Sequence, residues 1–419
     1  MSTASPRRRI VVTGLGAITN VGHDVPTLWS SLVEGRSGID RLTAFELDDR
    51  WPTRIAGEVR DWDADALLGR REARKMDRFC LLAMHAAEEA ARDCGIDFGS
   101  GDPTRRGVVI GSGVGGIDTI EQATRKLIDG GPRKINPFTV PRLMVNAAAG
   151  NVSIRFDLRG ANSAVATACA TGGHAIGTAA QLIERGDADV MFAGGSEAAV
   201  TPICISSFSA MKALSTRNEE PTKASRPFDR DRDGFVLAEG AGIVVLESLE
   251  HATARGARIL AEVCGYGTSG DAQHIAAPDE HGDGARAAMA TAVADAGIAV
   301  EEIDYINAHG TSTPLGDAAE VEAVKRLFGD HARRLAMSST KSMTGHTLGA
   351  AGGIESIAVI KAVAEGVVPP TINLESPDEG FDLDFVANEA QERPVRYGIN
   401  NSFGFGGHNV SVIFGRFEG

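Results

Sequence analysis

Cys169, one of five cysteines in the chain, stands in SAVATACATGGHAIG, residues 163–177, where a β-branched run meets a Gly-rich helix start. Free cysteine is among the most buried residue types, so the position suits a small core residue. It suits equally a nucleophile aimed into a cleft by a tight turn and activated by a helix N-terminus. Two of the ten histidines sit at comparable junctions, His309 in NAHGTSTPLGD and His346 in STKSMTGHTLGAAGG, each flanked by Gly, Thr and Ser. A lone histidine is more often structural than catalytic. Two at strand-to-helix junctions reverse that balance, because residues at the carboxyl ends of parallel strands converge on the crevice of an α/β sheet. Lys341 precedes His346 in the same polar loop, where an active-site role and a solvated surface role are evenly matched. NNSFGFGGHN, residues 400–409, is either a plain tight turn or a source of backbone N–H groups for a developing oxyanion. A cysteine, two histidines and such donors form the inventory for acyl transfer through a thioester. A metal site built from them is disfavoured, since no close-spaced cysteine, histidine or carboxylate cluster supports it.

These residues need a scaffold that brings distant loops together. Apolar β-rich runs (RIVVTG, RGVVIG, ADVMFAGG, GAGIVVLES, IDYINAHG, VRYGINNSF) alternate with Ala-rich helical runs (DRFCLLAMHAAEEAARDCG, GGHAIGTAAQLIERG, GARAAMATAVADAG, GGIESIAVIKAVAEG). That alternation predicts predominantly parallel sheets buried on both faces. The order also repeats. A helix ending in ARDCGI leads to a strand that closes at Gly111, and one ending in VADAGI leads to a strand that closes at Gly310. CATGGHAIGTAAQLIERG is likewise echoed by GHTLGAAGGIESIAVIKAVAEG, so two similar α/β halves are expected, residues 1–252 and 253–419. GSGVGG, residues 111–116, matches GxGxxG but runs on into a helical segment, not a second strand with a terminal acid. Backbone space beside a cleft explains its glycines better than nucleotide binding. The polar stretch 214–242 reads as a long surface or cleft excursion.

Composition narrows the class. The chain has 419 residues, 43% of them hydrophobic, with 50 glycines and only 5% aromatics, as suits a large, closely packed α/β enzyme. No apolar run reaches the length of a membrane span. The start, MSTASPRRRIVVTGLG, lacks a cleavable hydrophobic region and reads as an exposed basic tail before a first strand, which predicts a cytoplasmic protein. The odd, scattered cysteines include no CxxC, against a disulfide framework or a zinc site. A net charge of −14 argues against nonspecific binding to nucleic acid or anionic membranes.

TACATG with Cys169, NAHGTST with His309, STKSMTGHTLGAAG with Lys341 and His346, and NSFGFGGHN together resemble the β-ketoacyl-[acyl carrier protein] synthases, nearest the type II elongating enzymes of fatty-acid synthesis. The resemblance runs from VVTGLGAITNVG to NVSVIFG. It implies a thiolase fold, two α/β halves in a five-layered α-β-α-β-α core, forming a homodimer. It also implies decarboxylative Claisen condensation of malonyl carrier protein with an acyl chain held on Cys169. No cofactor is implied, because the phosphopantetheine arrives on the acyl carrier protein.

By the same resemblance, the N–H groups of Cys169 and Phe405 form the oxyanion hole and Phe405 is a gate. His309 and His346 would stabilise the enolate, Lys341 would support them, and Glu320 would pair with Lys341 as an anchor. Thr311 and Thr313 match residues that contact the phosphopantetheine arm. Val114, Phe138 and Phe208 fall at the acyl channel, with core packing the alternative for each. Asn307, Glu355 and Asn401 match ligands of a monovalent cation in some relatives. His408 departs from the threonine many relatives carry beside the gate. The basic run GRREARKMDR, with Arg70, Arg71, Arg74, Lys75 and Arg78, is a solvated face by composition; the resemblance makes it a carrier-docking patch, chiefly through Arg70, Arg74 and Lys75. A ketosynthase of a polyketide or other specialised lipid pathway would share fold and mechanism. A non-catalytic chain-length partner would lack Cys169, and a thiolase would carry a second cysteine near the C-terminus, whereas none follows Cys264.

Overall fold

A computed structural model describes residues 7–419. Ten strands join in one sheet. In the first half these are β1 (Ile10–Thr19), β2 (Arg106–Gly111), β3 (Asn162–Ser163), β4 (Val190–Glu197) and β5 (Gly240–Ser248). In the second they are β6 (Ala261–Gly270), β7 (Ile303–Asn307), β8 (Ala336–Ser338), β9 (Tyr397–Gly404) and β10 (His408–Gly415). The order across the sheet is β8-β7-β9-β10-β6-β1-β5-β4-β2-β3. Each half is therefore the same five-strand arrangement, and β1 meets β6 along only three residue pairs, Ile10↔Val263 to Val12↔Ala261.

The helices repeat in step. The first half has α1 (Arg78–Cys94), α2 (Ala147–Phe156) and α3 (Thr171–Glu184); the second has α4 (Asp283–Ala296), α5 (Pro314–Phe328) and α6 (Ala351–Glu365). Helices α3 and α6 lie between the two half-sheets and contact strands of both. With α1 and α2 outside one half-sheet, and α4 and α5 outside the other, this makes the five layers. Small residues are what let the central layer form. A Cβ on Gly172 would stand 2.5 Å from the Gly353 nitrogen, and one on Gly352 would stand 2.4 Å from the Gly173 nitrogen. The two helix starts thus cross backbone to backbone. Strands β1, β4 and β5 are buried along their whole length, as their unbroken apolar character requires.

The sheet corrects one expectation. Only the β2–β3, β2–β4, β7–β8 and β7–β9 pairings are parallel; the other five pairings are antiparallel. Each half ends in an antiparallel pair, β4–β5 and β9–β10, and periodicity cannot distinguish such strands from parallel ones when both faces are covered. The basic start is also no free tail where it is described. Arg7 pairs with Asp295 and Glu184, Arg8 with Asp189 and Arg9 with Glu262, so the arginines fasten β1 to both halves; residues 1–6 lie outside the described part. Among the described residues no helix is long and apolar enough to cross a membrane.

Near the end of β5, the buried carboxylate of Glu247 accepts from Thr13 and Arg255 and pairs with His251. Burial pushes its pKa up, but the bonds from His251, Arg255 and Thr13 outweigh it and hold the carboxyl below its ordinary range. The unfolded chain then binds the proton more readily, so this contribution is complete above the ordinary carboxylate pKa and disappears as pH falls through the folded value. Glu247→Gln is expected to destabilise the protein by on the order of 2 kcal/mol at pH 7, with Arg255 left partly buried. Urea unfolding should show that deficit narrowing as pH is lowered toward 4.

Candidate active site

Cys169 lies in a single 3₁₀ turn, Ala168–Ala170, that feeds directly into α3. Ala168 is forced to φ +50°, a region alanine rarely occupies, and this kink turns the cysteine into the cleft. No side chain caps α3, so the first N–H groups of its turn remain available to a ligand. Gly404, at the end of β9, packs against this turn; a Cβ there would stand 3.1 Å from the Cys169 nitrogen. Burial pushes the Cys169 thiol up to about 11, although the N–H of Phe405, the Lys341 ammonium and the cysteine's own N–H all act to lower it. Desolvation thus outweighs the groups that favour the thiolate in the free enzyme.

The second half supplies the histidines. His309 follows β7, and His346 follows the short helix Lys341–Thr344 after β8. A ring nitrogen of each and the Cys169 sulfur lie within 4.8 Å of one another. The imidazoles meet edge to face at 5.3 Å, with Phe235 against His346 at 5.3 Å and Phe403 against His309 at 5.8 Å. Burial, then the Lys341 charge, hold both histidines well below the ordinary pKa, His346 adding to the effect on His309. Both rings are neutral at physiological pH. The fold thus assembles a metal-sized cysteine–histidine triad that sequence spacing did not suggest. A neighbouring buried ammonium opposes a divalent cation there.

Lys341 does not pair with Glu320. Its Nζ lies 2.5 Å from Glu355 Oε1, with both side chains buried. Glu320 instead accepts the N–H groups of His309 (2.9 Å) and Gly310 (2.8 Å) and the amide of Asn401, so it holds the histidine's own loop. Burial raises both Glu320 and Glu355 to about 7. This bears on the cation site too. Of the three residues expected as cation ligands, Asn307 Oδ1 and Glu355 Oε2 are buried without partners, whereas Asn401 Oδ1 already accepts from Ser411 and Glu355 Oε1 is held by Lys341.

These groups open onto a cavity of about 620 Å³, lined by Cys169, His309, His346, Thr311, Thr313, Val114, Phe208 and Phe405. Phe138 is not on its wall; it is 41% exposed on the outside of the chain, which corrects its placement in the channel within one copy. His408 is exposed and lies beside Gly406, outside the lining. The GSGVGG loop proves to be cleft wall. Its anchor, Glu197, accepts from the Ser112 hydroxyl (2.6 Å) and from the N–H groups of Gly113 (2.7 Å), Val114 (3.1 Å) and Gly349 (3.0 Å). Sequence reasoning missed Glu197 and the roles of Phe235 and Phe403. An acid closing the apolar run VMFAGG was the available signal for the first.

Gly349 occupies the counterpart of Cys169. It lies in the 3₁₀ turn Leu348–Ala350 before α6, and Leu348 repeats the kink of Ala168 at φ +47°. A Cβ at Gly349 would stand 2.4 Å from the Gly113 nitrogen. Away from the cavity, Arg70, Arg71 and Arg74 are exposed, while Lys75 pairs with Glu72. Arg78 is bound to Glu239 and the Val59 carbonyl, which removes it from the basic patch.

A duplicated five-layer fold with a cysteine from one half facing two histidines from the other is the architecture of a condensing enzyme. Comparison with known proteins agrees. The chain matches the beta-ketoacyl synthase N-terminal domain over residues 7–252 and the C-terminal domain over residues 260–375. It is 51% identical over 410 residues to 3-oxoacyl-[acyl-carrier-protein] synthase 2 of Coxiella burnetii, covering 98% of this chain and 99% of that one. It is 49% identical over 414 residues to the Staphylococcus aureus protein of the same name, covering 99% and 100%. A solved type II polyketide ketosynthase, in complex with its acyl-carrier protein and bound to the hexaketide, superposes with a TM-score of 0.92 at 34% identity, covering 98% of this chain and 100% of that one. The chain belongs to the β-ketoacyl synthase family.

Proposed function

We propose that this enzyme elongates acyl chains in fatty-acid biosynthesis by decarboxylative condensation of malonyl carrier protein with an acyl thioester on Cys169. The observation that carries the reading is the convergence of the Cys169 sulfur and both imidazoles within 4.8 Å on one cavity. Cys169 attacks the carbonyl of the incoming thioester, and the carrier leaves as its thiol. The malonyl thioester then loses its carboxylate as carbon dioxide, leaving an enolate whose oxygen accepts an N–H from His309 and His346. Neutral imidazoles suit this task, since each donates while keeping its own proton. The enolate carbon attacks the acyl-cysteine carbonyl, the N–H groups of Cys169 and Phe405 receive the oxyanion, and collapse expels the thiolate. Lys341, fixed by Glu355, supplies positive charge to the histidine side. No resident cofactor takes part; Thr311 and Thr313 receive the phosphopantetheine arm of the carrier. Acylated enzyme seen by intact mass, followed by carbon dioxide and 3-oxoacyl product on adding malonyl carrier protein, is the test.

The fatty-acid reading is supported by the near-full-length identity of about half to the synthase 2 relatives, against 34% for the polyketide structure. We read the chain as cytoplasmic, divided functionally at residue 252. We also read it as a homodimer whose second copy covers exposed apolar residues including Ile128 (77%), Phe138 and Val140 (59%). The acidic carrier would be steered by Arg70, Arg74 and Lys75 against the overall negative field. Charge reversal at Arg74 and Lys75 is expected to raise the KM for acyl carrier protein about tenfold at low salt, the difference shrinking as salt is added. An unchanged KM at low salt would remove those residues from docking.

A further inference from the structure

The polar stretch 214–242 follows the cleft alternative of its sequence reading: residues 224–229 and 234–239 are buried, Gly234 and Phe235 line the cavity, and Arg226 and Arg232 point inward. Arg232, with a side chain only 3% exposed, donates to the carbonyls of Thr313 (3.2 Å), Pro314 (2.9 Å) and Asp229 (2.8 Å). It also bonds to Asp378 at 2.8 Å, lies 3.6 Å from Asp317 and stands over the Phe381 ring at 5.2 Å. The loop it grips is strained. Ser312, between the two threonines, sits at φ +69° and is completely buried. Its N–H donates to Asp317 (3.1 Å), its hydroxyl accepts from the Arg226 N–H (3.0 Å), and its carbonyl accepts from the Gly234 N–H (3.1 Å). A non-glycine residue persists in that conformation only where its surroundings over-determine it. Thr311 and Thr313 are thereby presented to the cavity with their hydroxyls 3.0 Å apart.

We propose that Arg232 is a positioning residue for the substrate arm: its guanidinium fixes the 311–314 loop so that both threonine hydroxyls meet the pantetheine. The inference rests on the reading of Thr311 and Thr313 given above. The planar fork suits adjacent carbonyls from two residues together with two carboxylates, which an ammonium cannot match.

The test is R232K, assayed for acyl transfer from acyl carrier protein and, separately, for alkylation of Cys169 by iodoacetamide, which has no arm. R232K is expected to raise the KM for the carrier substrate about tenfold while iodoacetamide modifies Cys169, read by peptide mass, at the wild-type rate. An unchanged KM, or parallel loss of acylation and alkylation, overturns the assignment. The double variant T311V/T313V separates the two levels. If it raises KM and R232K does not, the arginine has no positioning role; if neither does, the arm reading itself fails. Should R232K not fold, D378N removes one anchor at a half-exposed position and keeps the arginine. It is then expected to raise the same KM about threefold with alkylation unchanged, and an unaltered KM counts against the proposal.

Discussion

Cys169→Ala is expected to abolish the acyl-enzyme and to lower condensation by at least about 10⁴-fold, because the covalent route is then closed and the remaining donors have no acyl group to act on. Intact mass after incubation with acyl carrier protein should show an adduct on the wild type and none on the variant. An adduct that persists would move the nucleophile elsewhere. The variant should still decarboxylate malonyl carrier protein, because the histidines and Lys341 stand on loops of the second half, fixed by Glu320 and Glu355 and independent of the sulfur. In the wild type, a thiol pushed up to about 11 predicts slow alkylation at neutral pH that accelerates as pH rises.

The second large effect falls on the other half-reaction. His309→Ala and His346→Ala should each lower decarboxylation by about 10²- to 10³-fold, the loss typical of removing one buried donor to a developing oxyanion. Acylation of Cys169 should fall much less. Stopped assays of radiolabelled carbon dioxide release and of acyl transfer separate the two, and equal loss in both would deny the enolate role. Because burial and Lys341 keep both imidazoles neutral, neither should titrate between pH 6 and 8. Decarboxylation should therefore show no histidine step across that range.

Much of this was legible in the chain. The six strands and four helices proposed from apolar runs all exist, and the repeat of small-residue helix starts is the crossing of α3 and α6. Short or alternating strands such as β3, β8 and β10 carried too little signal, and strand direction carried none, because it is set by pairing and not by pattern. At the site, residue types and junctions identified the cysteine and the histidines. What escaped was the choice among buried acids. Glu320 and Glu355 are both plausible partners for Lys341, and only three-dimensional packing assigns the ammonium to Glu355 and the His309 loop to Glu320. Phe138 escaped for a related reason, since an aromatic next to a loop reads alike whether it faces inward or outward.

Gly349 has a consequence for how this architecture can change. Its turn repeats that of Cys169 down to the kinked residue before it, yet the Gly113 backbone and the Glu197 carboxylate occupy the space a side chain would need. The second half is thereby closed to a nucleophile of its own: a single codon change to cysteine would collide with backbone, and relieving the collision would dislodge the Gly113–Val114 wall of the cavity in the first half. The symmetry of the duplicated halves is thus irreversible in one direction. The nucleophile therefore stays with the first half, whatever else changes in the second.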